Sequence, residues 1–218
     1  RIHTGRPVTP DFLKDLEKSY HAVYLACGHG RTTALRVPGE ETDGVDDGLK
    51  FLERVRNGEQ PAVKGVSAVI GGGNTAVDVA RTIVRLGGEA LILYRRRRQD
   101  MPAFGGEVQM APERIEKDGG RTLVTLRHMR IAGEEGGRGR IEPDGDRTSR
   151  VVVDRLYKAT GAEAAEGWHN PPAGKGALAL SHCALSLRDG RPAMAWGGDL
   201  TNGIKSVAHA IASGKQAA

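Results

Sequence analysis

The chain has 218 residues, 39% hydrophobic and 27% charged, the balance of an ordinary globular protein with room for one large domain or two small ones. No apolar run approaches the ~18 residues that span a bilayer, so no membrane partner is expected. The net charge of +5 rests largely on Arg95 to Arg98 and on Arg121 to Arg155, but aromatic residues are only 4%, so there is little to stack bases on and no nucleic-acid partner is expected.

The chain opens Arg1-Ile2-His3 rather than with Met, and the opening reads as the interior of a longer protein. Thr9-Pro10-Asp11 before "FLKDLEKSY" predicts a helix start: Thr9 caps, Pro10 takes the first turn and Asp11 suits the dipole. "HAVYLACG" is a short apolar run closed by glycine, hence a buried strand. "GVDDGLKFLERVRNG" predicts a helix with Leu49, Leu52 and Val55 on one side and Gly58 past its end. "GVSAVIGGG" is a strand entering a glycine turn. "NTAVDVARTIVRLGG" is a helix with Val77, Ala80, Ile83, Val84 and Gly87 at helical spacing, and "EALILY" is the next strand.

Further on, "GEVQMAPERIEKDGG" starts as a helix that Pro112 interrupts. "TLVTLRHMRI" and "RVVVDRLYKATG" read as strands, with the glycine-rich, charged "AGEEGGRGRIEPDGDR" as a hairpin tip between them. A polar loop with Pro171-Pro172 leads to short strands near Ala184 to Leu187 and Ala193 to Trp196. The chain closes with a helix from about Gly203, presenting Ile204, Val207, Ala208, Ile211 and Ala212 on one face. Strands alternating with helices predict an α/β fold with a largely parallel sheet.

Gly71-Gly72-Gly73-Asn74-Thr75-Ala76 is a GxGxxA turn in the context that gives such a turn meaning: a strand before it, a helix from it and a second strand next. Gly71 makes the tight turn. Gly73 lets the backbone approach a pyrophosphate, and Ala76 lets helix and strand pack closely. The helix N-terminus then offers free N–H groups to phosphate. After the second strand an NAD site would place Asp or Glu on the ribose 2′-hydroxyl. Here Tyr94-Arg95-Arg96 stands there, with no acid between Glu89 and Asp100. A guanidinium fork suits a 2′-phosphate, which a carboxylate would repel. The ligand expected is therefore NADPH, held by the glycine turn and by Arg95 and Arg96. Asp78 reads as a favourable charge near the helix start or a partner of Arg81 or Arg85.

"GGGNTAVDVART", "LILYRRRRQDMPA" and "GEV" resemble the small, NADPH-oxidising subunit of glutamate synthase and its flavoprotein relatives, which include the amino-terminal half of dihydropyrimidine dehydrogenase. These are flavoproteins with two dinucleotide-binding domains. "VYLACG", ending at Gly28, resembles the stretch where the chain leaves the FAD domain. "YKATGAE", with Gly161, resembles the stretch where it returns. "MAWGGDLTNGIKSVAHAIASGKQAA" resembles the closing FAD motif. The resemblance implies a Rossmann-like three-layer NADPH-binding domain, residues 33–160, inserted in a partial FAD-binding Rossmann-like domain, residues 1–32 and 161–218. It implies Gly71, Gly72, Gly73, Asn74, Thr75, Arg95, Arg96 and Gly161 on the NADPH side, and Gly28, Gly198, Asp199 and Ile204 on the FAD side. Gly-Gly-Asp after a strand and before a helix is also, by its own chemistry, a hydroxyl-and-anion site.

Two features of the family are missing: an upstream FAD glycine fingerprint and a cysteine-rich iron–sulfur region. The chain thus resembles a later piece of such a protein. FAD is expected to be held weakly or not at all, the fragment alone to be inactive, and its exposed apolar strips leave association with a second copy open. The resemblance implies electron flow from NADPH to FAD and on to iron–sulfur centres or a larger oxidoreductase subunit. No residue is assigned as a general acid or base, and none as a metal ligand; seven histidines, His182 and His209 among them, lack metal spacing. Cys27 and Cys183 form no CxxC pair and fit a reducing cytoplasm. A non-catalytic NADP-binding module is the alternative reading, and bound flavin separates the two.

Overall fold

The computed structural model describes residues 1–95, 110–135, 138–172, 178–189, 191–202 and 206–218. In chain order the elements begin α1 (Pro10–Ser19), β1 (Val23–Leu25), β2 (Arg31–Thr32), β3 (Val45–Asp47), α2 (Gly48–Arg56), β4 (Val66–Ile70), α3 (Asn74–Arg85) and β5 (Glu89–Leu93). They continue β6 (Met110–Asp118), β7 (Arg121–Glu135), β8 (Arg138–Val153), β9 (Arg155–Lys158), β10 (Ala162–Glu163), β11 (Leu178–Ala179), β12 (Ala184–Arg188), β13 (Arg191–Trp196) and α4 (Val207–Ala217). The backbone forms two compact units: Thr32–Ala162, and Arg1–Arg31 with Glu163–Ala218. The crossover strands β2 and β10 pair with each other. No described helix is long and apolar enough to cross a membrane.

The larger unit has three layers. Its centre is a parallel sheet in the order β3-β9-β4-β5. β4 is central, and four of its five residues are buried, as expected for a parallel strand covered on both faces. One face of the sheet carries Val69, Tyr157, Ala90 and Ile92, which pack with Phe51 of α2 and Ala76, Val79, Ala80 and Ile83 of α3. The other carries Ala68, Ile70, Leu93 and Leu156, packed with Ile115, Val124, Leu126 and Val153 of the antiparallel meander β6-β7-β8. The buried stripe of α3 is therefore Ala76, Val79, Ala80 and Ile83. Val84, expected to face the core, is exposed.

Four sequence expectations change in this unit. The helix expected from Gly44 begins only at Gly48, because Val45–Asp47 pair with β9 and the Asp47 carboxylate accepts the N–H groups of Leu49 and Lys50. The described end of the segment expected to start as a helix before Pro112 is strand β6. Pro112 sits where the β6-β7 register shifts, a place that tolerates its missing N–H. The expected glycine-rich tip is mostly strand: β7 and β8 stay paired out to Glu135 and Arg138. Asp144–Arg147 lie in a bulge where the pairing jumps from Pro143 to Thr148, with Arg127 donating to the Gly145 carbonyl. Finally, "RVVVDRLYKATG" is two strands. Asp154 separates them, its carboxylate accepting from Val66 N–H at 2.8 Å and facing Arg121 at 3.3 Å.

The smaller unit holds a sheet in the order β1-β13-β12-β11, parallel at β1-β13 and antiparallel elsewhere. Leu25, Ala164, Ala184, Met194, Trp196 and Leu200 form its core, with Leu13 of α1 against them. Thr9 caps α1 as expected, accepting from Phe12 N–H at 3.2 Å. The apolar face expected on the last helix is not a core face: Val207 and Ile211 are 77% and 55% exposed. α4 is held instead by polar bonds. Ser213 donates to the His182 carbonyl, Asn202 donates to Ser213 Oγ at 3.1 Å, and Gln216 accepts from His182 N–H at 2.8 Å. Ile204 lies outside the described residues.

Candidate dinucleotide-binding site

The glycine turn leaves the central strand β4 at its carboxyl end, between β9 and β5, the place where open α/β sheets bind ligands. Each glycine answers to a different neighbour. Gly71 has φ +140°, and a Cβ there would lie 2.2 Å from the Ala159 carbonyl oxygen, so only glycine fits. Its N–H donates to the Leu93 carbonyl at 3.0 Å, tying the turn to the end of β5. A Cβ on Gly72 would fall 2.4 Å from Tyr94 Cδ2, too close to the ring to be accommodated. Gly73 is different. Its φ is −88°, open to any residue, and a Cβ would meet no described atom within 4 Å. No described group requires a glycine there, as is expected if the space is reserved for a ligand.

Gly73 is also the N-cap of α3, and no side chain caps the helix. The positive end of a 12-residue helix is thereby left facing the same space, next to Asn74, which is exposed, and Thr75, which is half-buried. Ala76 is fully buried and brings α3 close to the sheet. Tyr94 is half-buried and Arg95 exposed at the end of β5. Arg96, Arg97, Arg98 and the Met-Pro-Ala stretch lie outside the described residues.

Gly161 follows β9. Ala159 N–H donates to the Ile70 carbonyl at 2.8 Å, so the end of β9 forms one wall of the glycine turn. Beyond it Gly161, at φ +109°, accepts from Thr33 N–H at 3.0 Å, and Thr160 donates to the Thr33 carbonyl at 2.6 Å. The entering and leaving segments are thus bound together. In the same place Lys158 and Glu40 make a largely buried ion pair at 2.9 Å. Burial raises the Glu40 pKa, but the Leu35 N–H, the Lys158 ammonium and the Arg36 N–H outweigh it and hold the carboxyl below its usual range. On the helix-facing side of β9, burial raises Tyr157 to about 12, so it stays neutral against Phe51.

In the smaller unit the ends of two adjacent parallel strands bear the other candidate residues. Leu25 is opposite Trp196, so the segments leading to Gly28 and to Gly198 emerge side by side. Both glycines have positive φ, +68° and +63°, and a Cβ on Gly28 would meet nothing within 4 Å. Asp199 is half-buried in a single 3-10 turn, Gly198–Leu200. Cys27, within the run expected to be a buried strand, is exposed; Cys183 is the buried cysteine, and burial pushes its thiol up. The Trp196 indole N–H is buried with no acceptor among the described residues. Among the described residues no three His, Cys, Asp or Glu side chains come together to hold a metal ion.

A family model described as pyridine nucleotide-disulphide oxidoreductase matches residues 9–214. The chain belongs to that family. Among curated members, it is 30% identical over 98% of its length to the NADP(+)-dependent formate dehydrogenase subunit beta of Moorella thermoacetica, covering 32% of that protein. It is also 30% identical over 94% of its length to the glutamate synthase [NADPH] small chain of Azospirillum brasilense, covering 49% of it. The chain thus spans between about a third and a half of these two family members. Among solved structures, Mycobacterium tuberculosis FprA in complex with NADPH superposes with a TM-score of 0.68 at 16% identity, covering 96% of this chain and 63% of that one. The chain therefore has the Rossmann-like α/β fold of its family.

Sequence reasoning missed three features of the two candidate sites: the Tyr94 ring over Gly72, the Glu40–Lys158 pair and the orphaned Trp196 N–H. Each joins or isolates residues through tertiary packing, and only the Tyr-Arg-Arg run left a local trace.

Proposed function

We propose that this chain is the NADPH-binding part of an FAD-dependent oxidoreductase of the glutamate synthase small-subunit type. Residues 33–160 form the NADPH-binding domain, and residues 1–32 and 161–218 form the FAD side. NADPH lies across Gly71, Gly72, Gly73, Asn74 and Thr75, with its pyrophosphate at the start of α3 and its 2′-phosphate on Arg95 and Arg96. Gly161 closes the opposite wall. The observation that supports this best is the open space beside Gly73: its backbone angles permit any residue, yet the position lacks a side chain and faces an uncapped helix start.

The FAD side rests on Gly28, Gly198, Asp199 and Ile204. The two positive-φ glycines at paired strand ends leave backbone close to a dinucleotide, and the Asp199 carboxylate fits the hydroxyls of a ribityl group. FAD, when bound, supplies the acceptor for the nicotinamide hydride. The chain's own residues bind and orient the two dinucleotides, and electrons pass onward to iron–sulfur centres or a partner subunit. A cytoplasmic setting agrees with the unpaired cysteines.

Calorimetric titration of the purified chain with NADPH and with NADH tests the reading. Binding of NADPH with a clear preference over NADH is expected. No binding of either, or equal affinities, would overturn it.

A further inference from the structure

Lys158 is unusual for its position. It lies on a strand inside a parallel sheet, opposite Ile70, on the face that carries Leu156 and the meander core. Such strands are normally apolar. Its side chain is only 15% exposed, and its partner Glu40 only 8%. A buried pair of this kind is costly to form and is weak evidence for stability as such.

The geometry gives it another use. Glu40 Oε1 accepts from Leu35 N–H at 2.8 Å and from Lys158 Nζ at 2.9 Å; Oε2 accepts from Arg36 N–H at 2.8 Å. Arg36 is held at φ +59°, a conformation rare for a residue with a side chain. Pro38 O accepts from Ile115 N–H at 2.9 Å, and a Cβ on Gly39 would strike Ile115 O, so the segment is pressed on β6 as well. One carboxylate thus gathers the bend at residues 35–36 and ties it to β9. The residue after Lys158 is Ala159, whose carbonyl confines Gly71 and whose N–H bonds Ile70.

We propose that Glu40 and Lys158 are positioning residues for the dinucleotide site: the pair locks residues 33–40 onto the end of β9 and so fixes the wall against which the glycine turn is built. This rests on the dinucleotide reading above. Neither side chain need touch the ligand.

The full chain is compared with Lys158→Met, Glu40→Gln and the double variant, by NADP⁺ titration, thermal melting and hydrogen exchange. Each single change should weaken NADP⁺ roughly five- to tenfold, the size of a modest coupling between sites, without changing the ratio of NADPH to NADH affinity. The double variant has no unpaired buried charge, so its melting temperature should recover, but its NADP⁺ affinity should not. In the unmodified chain, NADP⁺ should slow exchange at the Leu35 and Arg36 amides, a readout that needs no variant. Unchanged affinity in the single variants, recovery of affinity together with melting temperature in the double, or no change in exchange over residues 33–40 would each overturn the proposal. Failure of the unmodified chain to bind NADP⁺ would instead overturn the dinucleotide reading, and the pair's role with it.

Discussion

The ring of Tyr94 occupies the space that a Cβ on Gly72 would fill, with Cδ2 and Cε2 at 2.4 and 2.5 Å from the ideal atom. The last residue before the arginines and the middle glycine of the turn are therefore one packing unit. Gly72→Ala must displace the ring, an overpacking that costs ~1–3 kcal/mol. It should lower both stability and NADPH affinity, and Tyr94→Ala in the same chain should restore stability. Urea unfolding of the parent and the two variants measures this; a Gly72→Ala protein as stable as the parent would contradict the packing.

Cofactor choice depends on the end of β5. Arg95→Ala with Arg96→Ala should remove most of the preference for NADPH over NADH. Hydrogen bonds to charged groups contribute ~1.5–3 kcal/mol each, so a change of at least tenfold is expected in the affinity ratio measured by calorimetry. NADH affinity should hardly move.

Gly73→Val puts a branched side chain into the open space, where no described atom lies within 4 Å of the built Cβ. The melting temperature should stay close to that of the parent, while NADPH binding is lost. Undiminished binding would show that the turn is not the phosphate site.

This contrast marks what the sequence could reveal. The tight turn at Gly71 and the close packing of Ala76 were readable because strand, turn and helix follow one another, and local order dictates local roles. The parallel sheet and the α/β class followed from the same alternation. Tyr94 over Gly72 was not readable, because the two are far apart in the chain and meet only when β4 and β5 pair. The Asp118-Gly119-Gly120 hairpin carried a signal, two consecutive positive-φ glycines suited to a tight turn, that the helical look of "ERIEK" obscured. In α4 the periodicity was real but faced outward: Ser213, not Ile211, is the buried residue, because hydrogen bonds rather than apolar burial hold the helix.

Stability should depend on pH through Glu40. Its folded pKa lies below the ordinary value of 4.5. A depressed carboxyl contributes stability that is fully present above the unfolded pKa and is lost as pH falls through the folded one. At neutral pH Glu40→Gln should destabilise the chain by roughly 3 kcal/mol, because Lys158 is left largely buried with only the exposed Glu41 carboxylate, 3.9 Å away, as counter-charge. Below the folded pKa of Glu40 the parent also has an uncharged side chain there, so the two melting curves should converge on acidification. Parallel curves from pH 7 to pH 3 would remove Glu40 from the acid response.

The two units differ in finish. Of the ten large apolar residues exposed among the described residues, nine belong to Arg1–Arg31 and Glu163–Ala218: Ile2, Val8, Tyr20, Tyr24, Leu178, Leu180, Leu187, Val207 and Ile211. The larger unit has only Val84. In the smaller sheet β1 is an edge strand, paired on one side alone. Few buried apolar contacts and open backbone edges mean low local stability. Amides of β1, β12 and β13 should therefore exchange faster than those of β4, β5 and β9. On the proposed reading a flavin would rest at the Gly28 and Gly198 turns of this less finished unit. The purified chain should accordingly bind NADPH yet carry little FAD, with no flavin absorbance band and no NADPH-dependent reduction of a dye. Added FAD should slow exchange in the smaller unit only at high concentration. A yellow preparation with stoichiometric FAD, or equal exchange in the two units, would show that the smaller unit is complete as it stands.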